Sequence, residues 1–296
     1  MSLSKKLPTG FQSLDDNLGG GLEEAPYLFA SAAKAGKSSF VRKLAFQMAM
    51  LGTEVAFIDT EVPERKAFES FVAIMKEKPI SEVTEEDYAE AKEVLGENMI
   101  FRDSRFVIQE LYTKGGLDIE KVLKELKHLK SLGSKMFIFD NVTRCGMGQD
   151  FRKRQELMQK LMDFATGEGV LGIQVAHTYP QRSDTTTRQD VLNAAASGQY
   201  DELLEKNIEY MALPTTAEIY GGAITTQYYG TFMIWRPCKD WESERHNKVS
   251  WLLAREMKSV NSFKIRFEYI GSQTNFKEYR EPFWNVDGDK MLKEVK

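Results

Sequence analysis

The segment Pro26-Tyr27-Leu28-Phe29-Ala30-Ser31-Ala32-Ala33-Lys34-Ala35-Gly36-Lys37-Ser38-Ser39 runs from an apolar pentapeptide into a Gly-Lys-Ser triplet. Pro26–Ala30 reads as a buried strand. Lys37–Leu51 reads as a helix, with Phe40, Leu44, Ala45, Met48 and Leu51 recurring on one face. The residues between them fit the P-loop pattern G-x-x-x-x-G-K-[ST] at Gly36, Lys37 and Ser38, with Ser31 in place of the first glycine. A loop of this kind turns backbone N–H groups toward phosphate, and the positive end of the following helix points at the same spot. Gly36 permits close approach, Lys37 neutralises the β- and γ-phosphates, and the Ser38 hydroxyl is a ligand for Mg2+. The predicted nucleotide-binding residues are therefore Ser31, Ala32, Ala33, Lys34, Ala35, Gly36, Lys37, Ser38 and Ser39, with ATP and Mg2+ as cofactors. Ser31 costs something if its position needs a positive φ. The alternative is a small, Ala-rich loop that only begins a helix.

Outward from this motif, short apolar runs alternate with amphipathic ones. Val55–Asp59, Met136–Asp140 and Val170–His177 read as strands, and Glu64–Lys76, Ile119–Leu132 and Arg152–Thr166 as helices. Ile80–Glu97 reads as one acidic, solvated helix, and Asp190–Met211 as a further helical stretch. This order predicts an α/β fold whose mainly parallel central sheet is flanked by helices on both faces. Thr231–Arg236, Lys248–Ala254 and Phe263–Ile270 predict antiparallel strands that extend the sheet. There is no internal repeat or low-complexity linker, so residues 1–296 are expected to form one domain.

The chain of 296 residues is 42% hydrophobic and 28% charged, which excludes disorder as the dominant state. No apolar run approaches the roughly 20 residues that span a bilayer, and no secretory signal opens the chain. Cys145 and Cys238 make neither a disulfide framework nor a zinc site, and His128, His177 and His246 cannot support a histidine-rich metal centre. A reducing cytosol follows as the expected compartment. The net charge of −4, from 40 basic and 44 acidic residues, excludes nucleic-acid binding by bulk charge and confines phosphate contacts to local patches.

Strand ends supply the remaining chemistry. Asp140 closes Met136–Asp140, where a P-loop ATPase holds Mg2+, although a strand-ending Asp also commonly caps a turn. Asp59 and Glu61 end Val55–Asp59 and its following loop. Either could serve a catalytic site, or Glu61 could be an exposed loop carboxylate. His177 ends its strand where contact with a γ-phosphate is possible, although a lone histidine is more often structural. C-terminal strand ends in such sheets face the ligand.

Together with Leu7-Pro8-Thr9-Gly10-Phe11-Gln12-Ser13-Leu14-Asp15 and Leu18-Gly19-Gly20-Gly21-Leu22, these motifs resemble the RecA-fold motor domain of DnaB-like hexameric replicative helicases, including phage and mitochondrial primase-helicase types. RecA-like and KaiC-like ATPases share a looser version. The resemblance spans about Leu7 to Phe276 and implies a RecA-like P-loop NTPase. It makes Glu61, in Asp59-Thr60-Glu61-Val62-Pro63, the base that activates water. It also makes Asp140 the Walker B ligand and His177 the γ-phosphate sensor. Glu218-Ile219-Tyr220-Gly221-Gly222-Ala223-Ile224, leading to Phe232-Met233-Ile234-Trp235-Arg236, resembles a later family motif. Arg255 and Lys258 are the candidates for a finger that completes a neighbouring subunit's site, with spacing that departs from the family's Lys-x-Arg.

In such rings, channel loops hold single-stranded DNA. The basic residues implied are Arg144, Arg152, Lys153 and Arg154 after Asp140, and Arg182 and Arg188 after His177. Arg152–Arg154 is equally readable as a solvated helix start. The resemblance implies a helicase in DNA replication, a homo-oligomeric ring, a possible primase or loader partner, and a phage or prokaryotic source. Only Met1 to Lys6 precede the motor motif, so no N-terminal primase-binding domain is expected and the ring is expected to be weak. The competing readings are a RecA/RadA-like recombination ATPase, a KaiC-like regulatory ATPase, and a binding-only protein suggested by Ser31.

Overall fold

Alternation inside the buried strands sets the layering. In a computed structural model, which describes residues 6–143, 151–178, 216–219, 222–236 and 248–278, every residue of strand β1 (Pro26–Ser31) is buried. Tyr27 and Phe29 enter one core and Leu28 and Ala30 the other. β2 (Val55–Asp59) divides in the same way, with Val55 and Phe57 against Ala56 and Ile58. β3 (Met99–Arg102), β4 (Met136–Asp140), β5 (Leu171–His177), β6 (Gly230–Trp235), β7 (Val249–Arg255), β8 (Phe263–Ile270) and β9 (Asn275–Glu278) complete a nine-stranded sheet. Its order is β9-β8-β7-β6-β1-β5-β4-β2-β3. Strands β3 to β6 across this order run parallel, and β7, β8 and β9 add antiparallel to the β6 edge. Strands buried on both faces read as continuous apolar runs, which is why the parallel half is clear in the sequence.

Helix α1 (Gln12–Leu18) and helix α2 (Lys37–Met50) belong to the first core; α5 (Ile119–Ser131) and α6 (Phe151–Glu168) supply the second. Phe11, Phe40, Phe267 and Phe276 form an aromatic cluster, with Phe40 5.2 Å from both Phe11 and Phe276. The entry motif folds around Asp15. Thr9 donates its N–H (2.9 Å) and hydroxyl (2.7 Å) to Asp15 Oδ1, and Gly10 donates its N–H to Oδ2 (3.2 Å). Gly21, at φ +127°, passes so close to Leu7 that a Cβ would lie 2.2 Å from its carbonyl oxygen.

Two expectations change. The single acidic helix over Ile80–Glu97 is instead a 3-10 turn, Ile80–Glu82, followed by α4 (Glu85–Gly96). Thr84 separates them through a capping box. Its hydroxyl accepts the Asp87 N–H (3.2 Å), and the Asp87 carboxylate accepts the Thr84 N–H (2.9 Å). Nor is α4 simply solvated, since Ala91 and Leu95 are buried and Tyr88 packs on Phe68 of α3 (Glu64–Lys76). Strands β3 and β9 were not anticipated; both are short edge strands with half-buried residues, which weakens their pattern. The helical stretch expected over Asp190–Met211 lies outside the described residues.

Candidate nucleotide site at the C-terminal strand edge

Parallel register brings the chemistry-bearing residues to one edge. Ser31 pairs with His177 across β1 and β5, and Asp59 pairs with Asp140 across β2 and β4. All four lie at the C-terminal ends of their strands, where the P-loop also emerges. Ser31 is buried as the last residue of β1, with no positive φ, and its hydroxyl donates to the Ala32 carbonyl (2.9 Å). The departure from glycine therefore brings no left-handed strain. The conformational demand falls later, on Lys34 (φ +61°) and Gly36 (φ +95°).

Gly36 begins α2 and its carbonyl accepts the Phe40 N–H (2.9 Å). A Cβ at Gly36 would lie 2.8 Å from Phe276 Cζ. Gly36→Ala is thus expected to lower stability by about 1–3 kcal/mol through combined backbone strain and ring displacement. Urea unfolding measures it, and a variant within error of the native protein would refute the account.

Lys37 and Ser38 face Asp140. The Asp140 side chain is buried, and its carboxyl is pushed up to about 7. Burial is the main cause and the Asp59 charge adds to it, while Arg42, Lys37 and the Ser38 hydroxyl pull the other way. Oδ1 of Asp140 is buried without a hydrogen-bond partner. A hydroxyl and an unsatisfied carboxylate oxygen at the foot of a P-loop fit Mg2+, a hard cation that takes oxygen ligands. Among the described residues there is no cluster of three or more His, Cys, Asp or Glu side chains arranged to hold a metal.

Of the two candidate acids beyond β2, Asp59 is already engaged. Its Oδ2 accepts from Arg42 Nη2 (2.8 Å), and its Oδ1 accepts the N–H groups of Glu61 (3.0 Å) and Val62 (2.9 Å). Glu61 is exposed on the loop that Asp59 shapes. His177 is half-buried, with Nε2 3.4 Å from Nδ2 of the fully buried Asn141.

Arg255 and Lys258 stand elsewhere. Arg255 pairs with Thr231 near the start of β6, and the Lys258 N–H donates to Tyr229, whose own N–H donates to Pro26. They lie level with the beginning of β1, about 17 Å from its end at 3.3 Å per residue. Lys258 Nζ donates to the Gln227 carbonyl (3.0 Å). Arg152 and Lys153 are exposed and Arg154 is half-buried in the first turn of α6. Arg144, Arg182 and Arg188 lie outside the described residues.

Three groups escaped the sequence reading. Arg42 is buried on α2 beside Val41 and Ala45, and an arginine inside an apolar helix face was the available signal. Asn141 follows Asp140 directly. Arg236 stacks over Tyr269 (4.2 Å), and the Tyr269 ring lies against Phe276 and beside Gly36, so these rings wall the P-loop from the antiparallel strands.

No family model matches the sequence, and no curated protein matches it. Solved structures do. The ATPase domain of a DnaB-like helicase aligns over 93% of this chain and 92% of its own, with a TM-score of 0.66 and 15% identity. A DnaB-like replicative helicase, solved in connection with its interactions with primase, aligns over 93% of this chain and 64% of its own (TM-score 0.67, 15% identity). A KaiC-like protein from the hyperthermophilic archaeon Pyrococcus horikoshii OT3 aligns over 94% of this chain and all of its own (TM-score 0.61, 15% identity). The fold is that of RecA-like P-loop ATPase domains, with a mostly parallel central sheet and antiparallel C-terminal strands. Within that class the chain resembles the ATPase domains of DnaB-like helicases. Among the described residues no helix is long and apolar enough to cross a membrane.

Proposed function

We propose that the chain is one ATP-dependent DNA helicase motor domain that hydrolyses ATP with Mg2+ and translocates on single-stranded DNA as a homo-oligomeric, hexameric ring in the cytoplasm. The observation that carries this reading is the convergence of Lys37, Ser38, Asp140, Glu61 and His177 at one sheet edge, in a fold like that of helicase ATPase domains. The P-loop N–H groups and Lys37 bind and orient the phosphates, and Ser38 and Asp140 hold the metal. With the metal bound, negative charge on the β- and γ-phosphates is neutralised as the leaving oxygen departs. Glu61 orients and deprotonates the attacking water, and His177 contacts the γ-phosphate.

Arg255 and Lys258 serve the site of the neighbouring copy, since about 17 Å of strand separates them from their own P-loop. DNA phosphates are met by Arg144, Arg152, Lys153, Arg154, Arg182 and Arg188. A primase or loader is the expected protein partner, by analogy with the helicase whose structure was described with primase.

ATP turnover with and without single-stranded DNA tests this. DNA is expected to stimulate turnover, Lys37→Ala to lower it roughly 10²-fold or more, and Glu61→Gln to retain ATP binding while losing about 10²-fold or more of the rate. Turnover that ignores DNA would point to the second reading, a KaiC-like regulatory ATPase. The alignment over the whole of the KaiC-like chain favours that reading over a recombinase.

A further inference from the structure

The loop after β4 holds a polar clamp that the hydrolysis scheme does not use. Asn141 is fully buried. Its backbone N–H donates to Thr60 Oγ1 (3.1 Å), and the Thr60 hydroxyl donates back to the Asn141 carbonyl (3.3 Å). Its side-chain oxygen accepts two hydrogen bonds from Thr143, one from the N–H (3.0 Å) and one from the hydroxyl (2.9 Å). Thr143 Oγ1 in turn accepts the backbone N–H of His177 (3.3 Å). Main chain and side chain of Asn141 are thus pinned from β2 and from its own loop, and the same threonine holds the backbone of His177.

This arrangement fixes the direction of the remaining contact. A backbone N–H can only donate, so the atom facing Thr143 N must be the amide oxygen of Asn141. The amide NH2 therefore faces His177 Nε2, at 3.4 Å. An NH2 group only donates, so Nε2 must accept with its lone pair, and the imidazole proton resides on Nδ1. We infer that Asn141 is a positioning residue that selects the Nδ1–H tautomer of His177, so that the ring enters the nucleotide site as a neutral donor from Nδ1. The functional consequence rests on the reading of His177 as the γ-phosphate sensor; the tautomer itself does not. A phosphate oxygen needs a donor, and the opposite tautomer would turn a lone pair on Nδ1 toward the site.

The chain holds three histidines, so 15N-histidine labelling of the full chain gives three ring systems, and His177→Gln identifies the one of interest. Without nucleotide, the native His177 ring is expected to show a protonated Nδ1 and an unprotonated Nε2. Asn141→Asp replaces the donor with an acceptor and is expected to move the proton to Nε2. Asn141→Ala, which only removes the donor, is expected to give a mixture. A native ring protonated on Nε2, or an unchanged tautomer in both variants, would overturn the inference. ATP turnover then separates the two readings. A flipped tautomer with turnover lowered tenfold or more supports both, whereas a flipped tautomer with native turnover upholds Asn141's role and sinks the sensor role of His177.

Discussion

Asp140→Asn is expected to abolish Mg2+-dependent ATP turnover while making the ligand-free protein more stable at pH 8. The native carboxyl, buried beside Asp59, titrates at about 7 when folded, against 3.8 for an ordinary Asp side chain. Between these values the folded chain keeps a proton that the unfolded chain has released. Its contribution to stability is therefore present in full below pH 3.8 and is lost as pH rises through 7. The difference is on the order of 2–4 kcal/mol at pH 8. Asparagine carries no charge to desolvate, so its unfolding free energy lacks this downward slope. Urea unfolding from pH 4 to 9 in EDTA measures both curves; parallel curves would mean that Asp140 is not held at a cost. Adding Mg2+ and nucleotide should restore native stability at pH 8 by mass action and leave the variant unmoved. On this account, the cost of burying the Asp140 charge is what a bound cation relieves.

Arg42→Ala is expected to cost about 3–5 kcal/mol, because it leaves the Asp59 carboxylate buried without its partner. The pair is 2.8 Å apart, with side chains 8% and 1% exposed, so water cannot take the place of the guanidinium. A loss of this size is a large fraction of a typical total of about 5–15 kcal/mol. It also removes one of the two cationic influences on Asp140. Arg42→Lys keeps the charge and is expected to lose less. Denaturant unfolding of the two variants decides the matter, and a cost under about 1 kcal/mol for Arg42→Ala would show that the pair contributes little. Because Asp59 also accepts the Glu61 and Val62 N–H groups, the same variant should loosen the loop that carries Glu61.

What could be read from the chain alone follows from how strongly each feature is repeated in local sequence. β1, β2, β4 and β5 are buried on both faces, so each is a largely apolar run ending in a polar residue, and Ser31, Asp59, Asp140 and His177 stand out as strand ends. The order of those strands, and hence the facing of Asp59 and Asp140, is a product of long-range pairing and leaves no local trace. β3 and β9 were missed because edge strands need bury little. Thr84 was passed over because its capping partner Asp87 sits within a run of acidic residues that reads equally well as continuous helix. Arg42 and Asn141 act through partners 17 and 36 residues away, at Asp59 and His177, which no spacing rule connects.

The aromatic wall behind Gly36 has a consequence for how the protein is made. Phe276 seats the P-loop glycine, and the Ser13 N–H and hydroxyl both donate to Glu278 Oε1 at 2.6 Å, across 265 positions of sequence. The segment that reads most plainly as a binding loop is therefore without its backing until nearly the whole chain has been synthesised. At roughly 5–20 residues per second, the interval between the emergence of Gly36 and of Phe276 is roughly 12–48 s. During that time β1 lacks its β6 neighbour until Gly230–Trp235 has emerged, and α2 lacks Phe267 and Phe276. Closure by the last strands is a high-contact-order event, so nucleotide-binding competence should arrive late and all at once.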